Sequence, residues 1–248
     1  MQSDMIDQHS YFSSAYHHVR RRRIALELIQ RKAELKEDEC LVCDVGCGEG
    51  WYTIVLERRG HLVTGIGISE KRLKRAKTKI HDVDFVRGDV NGMPIKSNVF
   101  DLVVCAQLLE HIHNPSVVVK ECKRISKSGG ALLFKVPSKT NIIDILIKKV
   151  LRMDRAPWTT WGLTIDPTHV HFFSQEELLK IFSAQKLKVI EIRGAVALRY
   201  TLPILHNMFV NAKGRWWPLL DAIEEIISRI PYLKRYGAIQ TFLLSNQG

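Results

Sequence analysis

The chain has 248 residues, 46% of them hydrophobic and 25% charged, with 15 Gly and 8 Pro. This composition suits an ordinary globular chain long enough to bury a large core, and it excludes collagen, low-complexity and disulfide-scaffold classes. Lys and Arg number 37 against 26 Asp and Glu, a net charge of +11, which favours an anionic partner: a phosphate-bearing cofactor, an acidic lipid surface or nucleic acid.

No run of about 18 uncharged apolar residues suits a membrane span, and the stretch from Met1 to Ser14 lacks the apolar core of a secretory signal, so the expected compartment is the cytoplasm. Five cysteines, Cys40, Cys43, Cys47, Cys105 and Cys122, are too few and too odd in number for a disulfide framework and are expected to be reduced thiols. The spacing of Cys40, Cys43 and Cys47 superficially suits a metal. However, Cys43 falls inside an apolar strand and Cys47 inside a glycine turn, so their thiols diverge and no metal centre is expected.

In chain order, residues 8–37 contain no Gly or Pro and show apolar periodicity at Ile24, Leu26, Leu28 and Ile29, which predicts a leading helix. Short apolar runs then recur at Leu41–Val45, Leu62–Ile66, Val83–Val86, Phe100–Cys105 and Ala131–Val136. Stretches of helical spacing separate them at Trp51–Arg59, Ser69–Ile80 and Ser116–Ser126. This alternation predicts βαβ units and a parallel sheet, and runs such as Leu102-Val103-Val104-Cys105 suit strands covered on both faces.

After Pro137 comes an apolar, basic insert (Asn141 to Arg155) and an aromatic loop with Trp158 and Trp161. A helix over Gln175–Gln185, opened by Ser174 as N-cap, and a strand at Leu187–Ile192 resume the pattern. A second insert, 195–235, holds Trp216, Trp217 and the amphipathic stretch Leu219–Ile230, before a last strand at Ala238–Leu244. The chain therefore reads as one α/β domain: an N-terminal helical segment (1–37), a ligand-binding half (38–137) and two helical cap inserts (138–173 and 195–235).

The most informative segment is Asp44-Val-Gly46-Cys47-Gly48-Glu-Gly50, where a buried strand ends in three alternate glycines and a helix starts at once. Glycines permit positive φ and close approach of a ligand to the backbone, and the helix start offers free N–H groups. Such a turn suits a nucleotide-like or carboxylate-bearing ligand.

This turn resembles the first motif of class I S-adenosylmethionine-dependent methyltransferases. Gly88-Asp89-Val90, Phe100-Asp101, Leu109-Glu110-His111-Ile112, Lys127-Ser-Gly129-Gly130 and Thr168-His169-Val-His171 follow in the order and spacing of the small-molecule (type 11) branch, which includes quinone-biosynthesis methyltransferases. The resemblance implies a Rossmann-like, seven-stranded, mostly parallel sheet with an antiparallel last strand, helices on both faces and cap inserts shaping the acceptor pocket. It implies S-adenosyl-L-methionine as cofactor. The methionine part would lie against Gly46, Cys47, Gly48 and Gly50 with Asp44 ordering the turn, the adenine against Asp89 and Val90, and the methionine end also against Ala106 and Gln107. One arginine among Arg20–Arg23 would reach the donor carboxylate.

One departure concerns the ribose. The family usually carries an acid at the end of the second strand, but this chain has Gly67, so Ser69 or Glu70 is the expected stand-in.

Methyl transfer from a sulfonium needs alignment and a dry site, with a base where the acceptor must lose a proton. His169 and His111 are the leading candidates for that base, ahead of His113 and His171. In some quinone-type relatives a divalent cation assists near the motif corresponding to Glu110-His111. The expected reaction is methylation of an O, N or C atom of a small or lipophilic acceptor. The alternatives are a non-catalytic S-adenosylmethionine-binding sensor or partner protein, suggested by Gly67, and an RNA methyltransferase. Nucleic acid is disfavoured because Ala106 to His111 lacks an Asn/Asp-Pro-Pro-aromatic signature. Six basic residues between Lys71 and Lys79 read as a solvated helix face. The basic, Trp-bearing inserts also suit peripheral contact with a membrane surface.

Overall fold

In the computed structural model, the residues described are 24–29, 39–80, 82–138, 169–195, 222, 223, 226, 230, 237 and 239–248. Arg20–Arg23, Trp158, Trp161, Trp216, Trp217 and most of both expected caps lie outside these residues.

Seven strands form one sheet in the order β3-β2-β1-β4-β5-β7-β6: β1 Leu41–Val45, β2 Leu62–Gly67, β3 Asp84–Arg87, β4 Phe100–Ala106, β5 Ser126–Pro137, β6 Leu187–Ala195 and β7 Ile239–Asn246. The first five are parallel to one another, and β7 lies antiparallel between β5 and β6. Helices α1 (Trp51–Glu57), α2 (Glu70–Lys77), α3 (Pro115–Ile125) and α4 (Gln175–Ala184) connect them. The expected Rossmann-like order is therefore present, with a mostly parallel sheet and an antiparallel final strand.

Alternation within each strand divides two cores. Cys43, Val103, Cys105, Leu132 and Phe134 pack on the α3 and α4 side with Cys122, Val119 and Phe182. Val42, Leu102, Val104 and Leu133 face the helical segment 24–29 with Leu56 and Tyr52. Both faces are covered, which is why these strands are apolar at successive positions. All five cysteines are buried free thiols.

One boundary moved and one held, each for an identifiable reason. The β5 strand begins at Ser126 rather than Ala131, because Ser126 pairs with Phe100 before a register shift, and Gly129 takes φ +74° at that irregularity. The α4 helix begins where the sequence predicts, fixed by a capping box: Glu177 N–H donates to the Ser174 hydroxyl, and Ser174 N–H to the Glu177 carboxylate.

The loop after β3 is anchored from α3. The Arg124 guanidinium donates to the carbonyls of Ile95 (2.7 Å) and Met93 (3.1 Å), and Met93 N–H donates to Glu121 (2.9 Å). These bonds hold the segment leading out of Asp89 and Val90. Among the described residues, no helix is long and apolar enough to cross a membrane.

Phe182 joins the two halves of the larger core, with ring centroids 5.0 Å from Phe134 and 5.3 Å from Phe242, all three fully buried. Phe182→Ala is expected to cost about 3–5 kcal/mol, measured as a lowered urea midpoint.

Candidate functional site

The sheet order reverses between β1 and β4, so the carboxyl end of β1 opens onto a crevice where ligands of open α/β sheets bind. Asp44, 2% exposed, is the last polar residue of β1. Its Oδ2 accepts from the Thr53 hydroxyl (2.7 Å) and the Thr53 N–H (3.1 Å), tying the strand to the first turn of α1. Burial pushes its carboxyl up to about 6, opposed in part by the two Thr53 bonds.

Beyond Asp44, Gly46, Gly48 and Gly50 take φ of +73°, +57° and +76°, conformations that L side chains rarely adopt. The N–H groups of Gly46 and Cys47 donate to the Ile66 carbonyl of β2 at 2.8 and 3.0 Å, and Gly50 N–H donates to the Cys47 carbonyl at 2.9 Å. The turn is thus closed on itself, and among the described residues the N–H groups of Gly48 and Glu49 have no backbone acceptor. A Cβ on Gly46 would stand 2.9 Å from both methyls of Leu108, so that glycine is required by space as well as by φ. Burial raises the Cys47 thiol far above its ordinary value, with the Asp44 charge adding to the effect, which leaves it an inert wall.

A cleft of about 240 Å³ lies against this turn. Of the predicted site residues, Gly46, Gly48, Gly67, Ser69, Asp89 and Val90 line it, while Asp44, Cys47, Gly50, Glu70, Ala106 and Gln107 do not. Asp44, Cys47 and Gly50 shape the turn from behind. The Glu70 carboxylate turns to Lys74 (2.8 Å) and Arg87 (3.2 Å) on the exposed surface, and these bonds draw its pKa below the usual carboxylate range. Asp89 Oδ1 accepts from the Asn91 N–H and side-chain amide at 2.9 and 2.8 Å, which fixes the carboxylate at the cleft.

Ile68, Arg72, Leu73, Asn91, Leu108 and Ile112 complete the lining and escape sequence reasoning. The signal for Arg72 and Leu73 is positional: they stand three and four residues after the α2 N-cap Ser69, on the turn of helix nearest the end of β2.

A second cluster adjoins the cleft. Gln107, at φ +56°, ends β4 in a left-handed conformation held by its N–H to the Lys135 carbonyl (2.8 Å). The chain then makes a 3₁₀ turn, Leu109–His111, bracketed by the cleft residues Leu108 and Ile112. The Glu110 carbonyl accepts from the N–H groups of Val170 (2.8 Å) and His171 (3.1 Å). This bond pair brings His169 to His111, with ring centroids 4.7 Å apart at 69°. One ligand-type atom from each of Glu110, His111 and His169 lies within 4.8 Å of the others, an arrangement able to share a proton or to bind a divalent cation. His171 serves packing: a ring nitrogen stands 3.0 Å from the His113 carbonyl, and the ring stacks on Phe173. Val170 and Phe172, each 44% exposed, flank His169 with apolar surface.

Residues 43–134 match the methyltransferase domain family, from β1 into β5. The ubiquinone biosynthesis O-methyltransferase of Idiomarina loihiensis is 32% identical over 164 residues, 62% of this chain and 64% of that protein. The protein of the same name from Nitrosomonas europaea is 38% identical over 101 residues, 39% of this chain and 43% of that protein. The matches thus span less than two thirds of these relatives. Among solved structures, an S-adenosylmethionine-dependent methyltransferase from Mesorhizobium loti superposes with TM-score 0.56 at 16% identity, covering 84% of this chain and 91% of that one. A magnesium protoporphyrin IX methyltransferase from Synechocystis with bound SAH gives 0.57 at 18%, covering 91% and 82%. At these identities the superpositions establish the fold.

The glycines of the turn and of β2 differ in what they tolerate. Gly46→Ala is expected to lower stability by about 1–3 kcal/mol through strain and the Leu108 clash, whereas Gly67→Ala, whose Cβ meets nothing closer than 3.5 Å, keeps the parent melting temperature.

Proposed function

We propose that this chain, whose residues 43–134 match the methyltransferase domain family, is an S-adenosylmethionine-dependent methyltransferase acting on a hydroxyl oxygen of a small, lipophilic phenol. The observation that carries this reading is the cradle: a left-handed glycine turn at the sheet's reversal point, facing Asp89 across a cleft walled by Leu73, Val90, Leu108 and Ile112.

The residues present fit the donor. Glycine at 46 and 48 lets it approach the backbone, and the Gly48 and Glu49 N–H groups suit its carboxylate. Asp89 suits the adenine amino group as acceptor, and the apolar walls suit the ring. Ionised Asp44 lies behind the turn as the charge complementary to the ammonium group. When bound, the donor supplies a methyl group already activated on a sulfonium, so the protein contributes alignment, water exclusion and proton removal.

The His111–His169 pair accepts the proton of the acceptor hydroxyl, and the neighbouring Glu110 carboxylate stabilises the imidazolium formed. The names of the curated relatives support a phenolic oxygen, and the apolar flank of Val170 and Phe172 supports a lipophilic acceptor.

Titration calorimetry with S-adenosylhomocysteine tests the cradle: folded protein giving no heat would refute it. Because the Asp44 carboxyl protonates near pH 6 in the free protein and the ligand ammonium favours the ionised form, affinity is expected to be flat above about pH 7. It should weaken as pH falls through 6, by up to about tenfold per unit. Asp44→Asn is expected to bind more weakly at pH 8 and to lose that dependence. In a labelled-methyl assay with a catechol acceptor, His169→Ala is expected to lower kcat about 10²–10⁴-fold with the donor affinity kept; full turnover would remove the imidazole pair from the mechanism.

A further inference from the structure

The polar walls of the cleft are opposite in character. At one end stands the Asp89 carboxylate. At the other, where β2 runs into α2, the lining is Gly48, Gly67, Ser69 and Arg72. A carboxylate accepts from ribose hydroxyls, whereas an arginine beside the ribose suits a phosphate on it, and at this end the structure has the arginine without the carboxylate.

Space does not explain the missing acid. A Cβ on Gly67 would meet the Leu73 side chain at 3.5 Å, Cys47 Sγ at 3.7 Å and the Gly48 nitrogen at 4.0 Å, all ordinary contacts. The neighbouring carboxylate, Glu70, is held outward by Lys74 and Arg87.

Among the cations between Lys71 and Lys79, Arg72 is the one that lines the cleft. Lys74 pairs with Glu70, and Arg75 and Lys79 pair with Glu49. Arg72 has no acidic partner among the described residues, and its Nη1 stands 4.0 Å from the position a Cβ would take on Gly48. Its guanidinium therefore overhangs the turn. The Ser69 hydroxyl accepts the Arg72 N–H at 3.4 Å as helix cap, which leaves its own proton to donate into the cleft.

We propose that Ser69 and Arg72 form an anion subsite at the ribose edge of the cleft, one that recognises adenosine bearing a phosphate on its 2′ or 3′ oxygen. The placement of the ribose rests on the donor-site reading above, with adenine at Asp89. A guanidinium and a hydroxyl donate to phosphate oxygens in the geometry that phosphate prefers, and a carboxylate in the same place would repel it. A ribose-phosphorylated adenosine thereby competes with the methyl donor for one cleft, and methyl transfer becomes sensitive to the level of such a nucleotide.

Calorimetry with adenosine, adenosine 2′-monophosphate, adenosine 3′-monophosphate and S-adenosylhomocysteine tests the subsite on the parent chain, Arg72→Ala and Gly67→Asp, each verified as folded by circular dichroism. At least one of the two monophosphates is expected to bind the parent roughly tenfold more tightly than adenosine; which one does so identifies the phosphorylated oxygen. The advantage should fall to about twofold or less in Arg72→Ala, and adenosine should be preferred in Gly67→Asp. A parent chain that binds neither monophosphate better than adenosine, or an advantage that survives in Arg72→Ala, overturns the subsite. S-adenosylhomocysteine separates the two readings. Its binding without a phosphate advantage sinks the subsite alone, an Arg72-dependent phosphate advantage without its binding supports the subsite and sinks the donor reading, and no heat from any of the four sinks both.

Discussion

Three left-handed residues within five positions form a backbone path held locally by a single bond, from Gly50 N–H to the Cys47 carbonyl, and what the cleft can hold depends on that path being fixed at both ends. The upstream end is fixed by the buried Asp44 carboxylate, which grips the hydroxyl and N–H of Thr53 and so sets how α1 leaves the sheet. The lateral constraint comes from the Ile66 carbonyl of β2, which takes two N–H groups of the turn. Because β2 also carries Gly67 and opens α2, the same carbonyl couples the glycine turn to the wall that holds Ser69 and Arg72. A shift of the turn therefore moves both ends of the cleft together. Burying the carboxylate raises its pKa, and the two bonds it accepts from Thr53 offset part of that rise.

Local pattern made residues 38–137 readable in advance. Strands covered on both faces leave continuous apolar runs, α2 and α4 announce their starts with Ser69 and Ser174, and three alternate glycines after a strand leave few uses for the turn. What stayed hidden depends on side-chain direction. Glu70 and Arg72 are two residues apart on one helix turn, and only packing tells that the acid swings out to Arg87 while the base leans over Gly48. The inward course of Leu108 against Gly46 is likewise a tertiary fact. The extension of β5 back to Ser126 rests on its pairing with Phe100 of β4, and Gly129 and Gly130 fall in the register shift between that pair and Leu102–Ala131.

The two halves of the site are built by different means, and this has a consequence for what each can tolerate. The cradle forms between Gly46 and Ile112, from strands adjacent in the sheet, so few long-range closures are needed to assemble it. The His111–His169 pair instead joins segments 58 residues apart and depends on the bonds from Val170 and His171 to the Glu110 carbonyl. Loop-closure entropy rises slowly with loop length, so the stretch between the end of β5 and His169 can change in length at small entropic cost, whereas α3 and β5 are held by the core. The His111–His169 side can thus carry a different flank beside His169, while the turn from Asp44 to Gly50 keeps its own anchors on Thr53 and Ile66.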